Sequence, residues 1–216
     1  MTVAASDDAA ICVSVVLRRR IRRRRRGRPL TDRGNEASRD YHAARVLALC
    51  EHRGLFIACA ESLTGGLLAD AFVRVPGASK VFLGSAVTYD IHAKAGVLGV
   101  DERLLDAEGT VHPEVARQMA RGTAKLYRTR PEYRGRVIGL STTGVAGPGP
   151  DGGKPAGLVY IGLCVPTDVR RCGYVLESRK LRLHGAREDV RRATVDKVIA
   201  ALLERLDGTG CDDACV

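Results

Sequence analysis

The stretch Ala60-Glu61-Ser62-Leu63-Thr64-Gly65-Gly66 places a carboxylate and two hydroxyls directly ahead of a glycine pair. Upstream, Leu55 to Cys59 is a short apolar run suited to a buried strand. Downstream, Leu67, Leu68, Ala71, Phe72 and Val75 recur at helical spacing. Glu61, Ser62 and Thr64 therefore fall where a strand ends and a helix begins. Unpaired main-chain N–H groups and the helix dipole favour negative charge there. Gly65 and Gly66 let an anionic group, or a developing oxyanion, come close to the main chain. The structural alternative is that Ser62 or Thr64 only caps the helix. Tyr89 ends a second strand-like run, and Lys94 follows it. Thr143-Gly144-Val145-Ala146-Gly147-Pro148-Gly149 follows a third and opens a Gly/Pro-rich loop that continues to Lys154-Pro155.

The elements that must position these groups are legible from periodicity and punctuation. Strands are predicted at 55–60, 81–89, 136–142, 158–165 and 172–183. Helices are predicted at 38–53, 65–74, 90–98, 102–108, 113–126 and 185–206. Pro166-Thr167-Asp168 reads as a hairpin turn joining the last two strands. Helices before, between and after the strands predict a single-domain, three-layer α/β/α sandwich with a mixed sheet. In such sheets ligands gather at strand carboxyl ends, so Ser62, Tyr89 and Thr143 should converge on one crevice. The fold is expected to occupy residues 38–206, between a disordered, Arg-rich tail at 1–37 and a polar tail at 207–216.

Charge is unevenly spread. Residues 1–40 hold 11 Lys and Arg against 5 Asp and Glu, whereas residues 41–216 hold 24 against 20. Nine arginines crowd into the eleven positions from Arg18 to Arg28. The body is thus mildly basic, which suits anionic small molecules better than nucleic acid. No run approaches the roughly 18 to 20 apolar residues needed to span a bilayer, so no membrane partner is expected. The seven cysteines form no C-x-x-C pair, and neither they nor the five histidines show zinc spacing. Cys59 and Cys164 read as small core residues. These features point to a reducing, cytoplasmic setting without disulfides or a metal site, and no cofactor is expected.

Taken in order, several blocks resemble the CinA C-terminal domain family, the nicotinamide-nucleotide amidohydrolases. They are the Ala60–Gly66 stretch, Val75-Pro76-Gly77-Ala78-Ser79, Phe82-Leu83-Gly84, Tyr89 with Lys94, and Thr143 to Pro148. Gly157-Leu158-Val159-Tyr160-Ile161-Gly162 and Gly185-Ala186-Arg187 also fit. The resemblance spans roughly 41–206 and implies hydrolysis of the carboxamide of nicotinamide mononucleotide, without metal. Larger family members carry a further N-terminal domain, whose activity is not expected here. Two departures bear on substrate detail: His112 precedes Pro113-Glu114, and Tyr89-Asp90-Ile91-His92 replaces a more polar run.

Amide hydrolysis needs a nucleophile, a base and oxyanion donors. Under the resemblance Ser62 is the nucleophile, and N–H groups around Thr64 to Gly66 hold the oxyanion. Lys94 is the base if burial lowers its pKa, and a solvated surface lysine otherwise. Tyr89 relays the proton or orients the amide, or is a core aromatic. Gly144, Gly147, Gly149 and Lys154 cradle phosphate, while Thr143 donates to phosphate or ribose, or simply ends a strand. Glu61 orients the substrate, or serves the helix dipole. Arg187 and Arg191 reach an anion, or form surface ion pairs. A catalytically silent nucleotide-binding or regulatory module is the competing function. The sequence leaves a homo-oligomer open.

Overall fold

The computed structural model describes residues 30–168 and 173–208. The arginine run and most of the two expected tails lie outside the described residues. The chain divides into two units, Met1–Ser38 and Arg39–Val216, and the sheet belongs wholly to the second. Helix α1 (Leu30–His52) starts ahead of the expected Ser38. It runs through Gly34, a residue that costs a helix only about 1 kcal/mol relative to alanine.

Then come β1 (Phe56–Glu61), α2 (Leu67–Val73), β2 (Phe82–Val87), α3 (Ile91–Leu98), α4 (Glu102–Glu108) and α5 (Pro113–Leu126). β3 (Val137–Gly144), β4 (Leu158–Asp168), β5 (Gly173–Arg182) and α6 (Arg187–Gly208) complete the unit. The five strands form one mixed sheet in the order β2-β1-β3-β4-β5, parallel for the first three and antiparallel thereafter. Period-two alternation sorts the side chains between the faces. Ile57, Cys59, Ile138 and Leu140 pack with residues of α1, α2 and α6. Ala58, Ala60 and Val137 face the opposite layer, where α3, α4 and α5 contribute Leu98, Leu105, Val115 and Met119. This is the expected α/β/α sandwich.

α5 lies hard against the sheet. A Cβ at Gly139 would meet Ala120 O at 1.9 Å, and one at Gly162 would meet Ala116 O at 2.3 Å. The Ser141 hydroxyl donates to that same Ala116 carbonyl at 2.6 Å.

The hairpin turn is not where the sequence predicts it. β4 continues through Pro166, which pairs with Tyr174, to Asp168. β3 pairs β4 only as far as Cys164, so beyond that point β4 has one free edge. A proline, which lacks an N–H, is tolerated on such an edge.

Candidate active site

β1 delivers Ser62 between two parallel neighbours, with Glu61 paired to Val87 on one side and Thr142 on the other. The Ser62 N–H still donates to Thr142 O at 3.0 Å, so the sheet register fixes the start of the turn. The turn itself needs glycine, because Gly65 and Gly66 adopt φ of 53° and 97°.

The helix start is occupied from within. Glu61 is fully buried. Its Oε2 accepts from Gly66 N at 2.9 Å and Leu68 N at 3.0 Å, and its Oε1 from Ala69 N at 3.0 Å and Ser85 Oγ at 2.8 Å. The anion that the sequence expects at this helix start is therefore Glu61 itself, and a substrate anion has no place there. The buried Thr64 hydroxyl shares a hydrogen bond of 2.8 Å with Thr142 Oγ1. Gly65 N–H donates to Ser62 O at 3.1 Å. The Glu61 carboxylate, the Thr64 hydroxyl and the Gly65 and Gly66 N–H groups are thus spent on the scaffold of the turn rather than offered to a ligand. Of the expected oxyanion donors, Thr64 N–H remains, joined by Leu63 N–H. Neither has a partner among the described residues. Arg191 braces the same peptides, donating to Leu63 O at 2.9 Å and Thr64 O at 2.8 Å.

Ser62 caps nothing: the N-cap of α2 is Gly66, and the Glu61 carboxylate takes the first N–H groups of the helix. The Ser62 hydroxyl instead faces Lys94 Nζ at 3.3 Å. Lys94 is fully buried on α3, a helix started by Asp90, whose carboxylate accepts from His92 N and Ala93 N. The amine also donates to Thr88 O at 2.6 Å and Tyr89 O at 3.2 Å. Burial pushes the Lys94 pKa down to about 8, with the Asp90 charge pulling the other way. The burial of Lys94 excludes the solvated surface lysine.

A cleft of about 310 Å³ opens over Ser62 and Leu63, walled by the loop from Gly144 to Asp151 and by Tyr89 and Arg187. Gly144, Gly147 and Gly149 line it as expected. Ala146, Gly147 and Gly149 keep N–H groups without partners among the described residues. Arg187 donates to Gly147 O at 2.6 Å and Tyr89 Oη at 3.1 Å, and no carboxylate among the described residues pairs with it. Tyr89 is 63% exposed at the mouth. Its hydroxyl lies on Arg187 and is not bonded to Ser62 or Lys94, so it is neither a core aromatic nor the proton relay.

Thr143 and Lys154 are also displaced from their expected roles. The Thr143 hydroxyl donates to Thr110 O at 2.6 Å, and Lys154 Nζ donates to Glu108 O at 2.5 Å and Val111 O at 2.7 Å. Together they tether the segment after α4, which places Thr110 and Val111 in the cleft wall. No local signal marks Thr110 or Val111, since that tether joins residues more than thirty positions apart. His112 keeps a capping role, its Nδ1 accepting from Glu114 N at 3.2 Å. Among the described residues no group of three or more His, Cys, Asp or Glu can hold a metal. No helix among them is long and apolar enough to cross a membrane.

Comparison with known proteins bears on this geometry. A family model described as the CinA C-terminal domain matches residues 39–206. A competence-damage inducible protein of Clostridium acetobutylicum is 45% identical over 155 residues, 70% of this chain and 34% of the relative. A CinA-like protein of Frankia casuarinae is 44% identical, over 76% of this chain and 34% of its own length. The chain thus spans about a third of these relatives. Among solved structures, competence/damage inducible protein CihA of Agrobacterium tumefaciens superposes with a TM-score of 0.66 at 33% identity, covering 78% of this chain and 95% of that one. A CinA superfamily protein of Klebsiella pneumoniae gives 0.68 at 29% identity, covering 79% and 98%.

Proposed function

We propose, for a chain that belongs to the CinA C-terminal domain family, that the Ser62 cleft hydrolyses the carboxamide of nicotinamide mononucleotide. The products are nicotinic acid mononucleotide and ammonia. The observation that carries this reading is the buried contact between Lys94 Nζ and Ser62 Oγ. An ammonium has three N–H groups, and Lys94 has three acceptors: Thr88 O, Tyr89 O and Ser62 Oγ. Loss of one proton leaves two donors for the carbonyls and a lone pair for the Ser62 proton. The two carbonyls therefore aim the lone pair at the serine.

In the first step Ser62 Oγ bonds to the amide carbon and its proton passes to Lys94 Nζ. The oxyanion is held by the N–H groups of Leu63 and Thr64. Arg191 on Leu63 O polarises the peptide that contains Thr64 N–H, making it a stronger donor. The C–N bond then breaks, and the Nζ proton goes to the departing nitrogen as ammonia leaves. Water attacks the resulting ester, gives its proton to Lys94, and Ser62 is released with that proton. Arg187 and the Gly144–Gly149 main chain suit the phosphate, and the exposed Tyr89 ring suits the pyridine.

The test is Ser62→Ala. Ammonia release should fall by several orders of magnitude while nicotinamide mononucleotide still binds. Wild type quenched in turnover should carry a nicotinoyl ester on Ser62. An active Ser62→Ala protein would refute the proposal, and binding without release by wild type would favour the silent module.

A further inference from the structure

A second cleft, of about 500 Å³, lies at the opposite end of α5 from Ser62. The strand register places it there: Cys164 in its floor pairs with Gly139 near the start of β3, whereas Ser62 lies at the far end of the sheet. Arg121 and Lys125, one helical turn apart on α5, and Arg128, just past its C-cap Tyr127, line it. Its floor is less polar, formed by Ala124, Cys164 and Leu176 with Tyr174. Burial pushes the Cys164 thiol up to about 11, with the Arg121 charge working against it, and both residues line the cleft.

None of the three cations has a hydrogen-bond or ion-pair partner among the described residues. Arg39, Arg117, Arg179 and Arg191 each meet a carboxylate. Arg128 also edges an adjoining depression of about 440 Å³ with Arg130 and Arg134. There Glu132 reaches Arg130 at 3.6 Å, and the Arg134 guanidinium has no partner among the described residues. Compensation of the helix dipole does not account for the cluster. A helix C-terminus carries roughly half a negative charge, and three cations face one cleft beside it.

We infer that these adjoining depressions bind a nucleoside polyphosphate, the base lying on Tyr174 and Leu176 and the phosphates running along Arg121, Arg128 and Arg134. An apolar floor beside a line of cations matches a ligand with one flat body and several linked anionic groups. The inference stands apart from amide hydrolysis and uses none of its residues.

The experiment is isothermal titration of the full chain with magnesium-free ATP at fixed ionic strength, with adenosine and tripolyphosphate as half-ligands. The arginine run at 18–28 attracts polyanions in every variant alike, so differences between variants isolate the cleft. Arg121→Gln/Arg128→Gln should weaken ATP binding at least about tenfold, the size expected for losing charge-assisted contacts. Arg187→Ala should leave ATP binding unchanged, and each half-ligand should bind more weakly than ATP. Unchanged ATP affinity in the double variant would overturn the inference. So would loss of binding in Arg187→Ala, which would put ATP in the Ser62 cleft. Tripolyphosphate bound as tightly as ATP would show that no base is read. A short single-stranded oligonucleotide whose affinity falls more than that of ATP in the double variant would overturn the inference and make the surface a nucleic-acid site.

Discussion

Lys94→Met separates the lysine's electrostatic cost from its chemistry. Folding takes the Lys94 pKa from 10.5 to about 8 because burial of the amine outweighs the opposing pull of the Asp90 carboxylate. That displacement corresponds to about 3 kcal/mol by which the fold disfavours the ammonium at neutral pH. The sign follows from proton counting. Between pH 8 and 10.5 the unfolded chain holds the proton and the folded one has lost it, so wild-type stability rises with pH through that window. Methionine fills similar volume and does not titrate, but leaves Thr88 O and Tyr89 O without their donor, at about 1 kcal/mol each.

Lys94→Met should therefore be about 1 kcal/mol more stable than wild type at pH 7 and about 1 to 2 kcal/mol less stable near pH 10. Urea unfolding of both proteins at pH 7, 8, 9 and 10 measures the difference, and groups common to both cancel. Parallel stability curves would refute the buried-amine argument. Turnover should be lost in the variant at every pH. In wild type kcat/KM should rise with pH through about 8, since only the neutral amine accepts the Ser62 proton.

Three further outcomes follow from the hydrogen bonds. Glu61→Gln replaces an acceptor-only side chain that holds three main-chain N–H groups and Ser85; it should cost about 2 to 4 kcal/mol in chemical denaturation, and a change below 0.5 kcal/mol would be inconsistent with its geometry. Arg191→Ala should lower kcat roughly 10- to 100-fold with little change in KM, because it braces the turn and not the substrate; a rise in KM alone would place it on the ligand. Tyr89→Phe should keep turnover within about threefold of wild type, as its hydroxyl meets Arg187 rather than Lys94, whereas Tyr89→Ala should raise KM. A collapse of kcat in Tyr89→Phe would restore the proton relay.

The sequence by itself determined the local conformations around the site. Apolar run, glycine pair and helical spacing mark β1, the turn and α2 without reference to any distant residue. Asp90 and Asp101 mark helix starts through their own side chains, and Pro113 does so through its fixed φ. The carboxyl-end position of Ser62 followed from the order of elements. What the groups do there depended on contacts between segments far apart in the chain. Lys94 looks like any helix lysine until α3 packs over the Ser62 turn and removes water from its amine. Glu61 reads as an orienting group or a helix-dipole carboxylate, and only the folded turn, which brings the start of α2 onto it, decides for the second. Thr143 and Lys154 read as phosphate ligands, yet the segment after α4 comes close enough to take their hydrogens. Local sequence specifies backbone conformation through propensity and capping, whereas burial and the choice of hydrogen-bond partner exist only once the sheet and its two helical layers have closed.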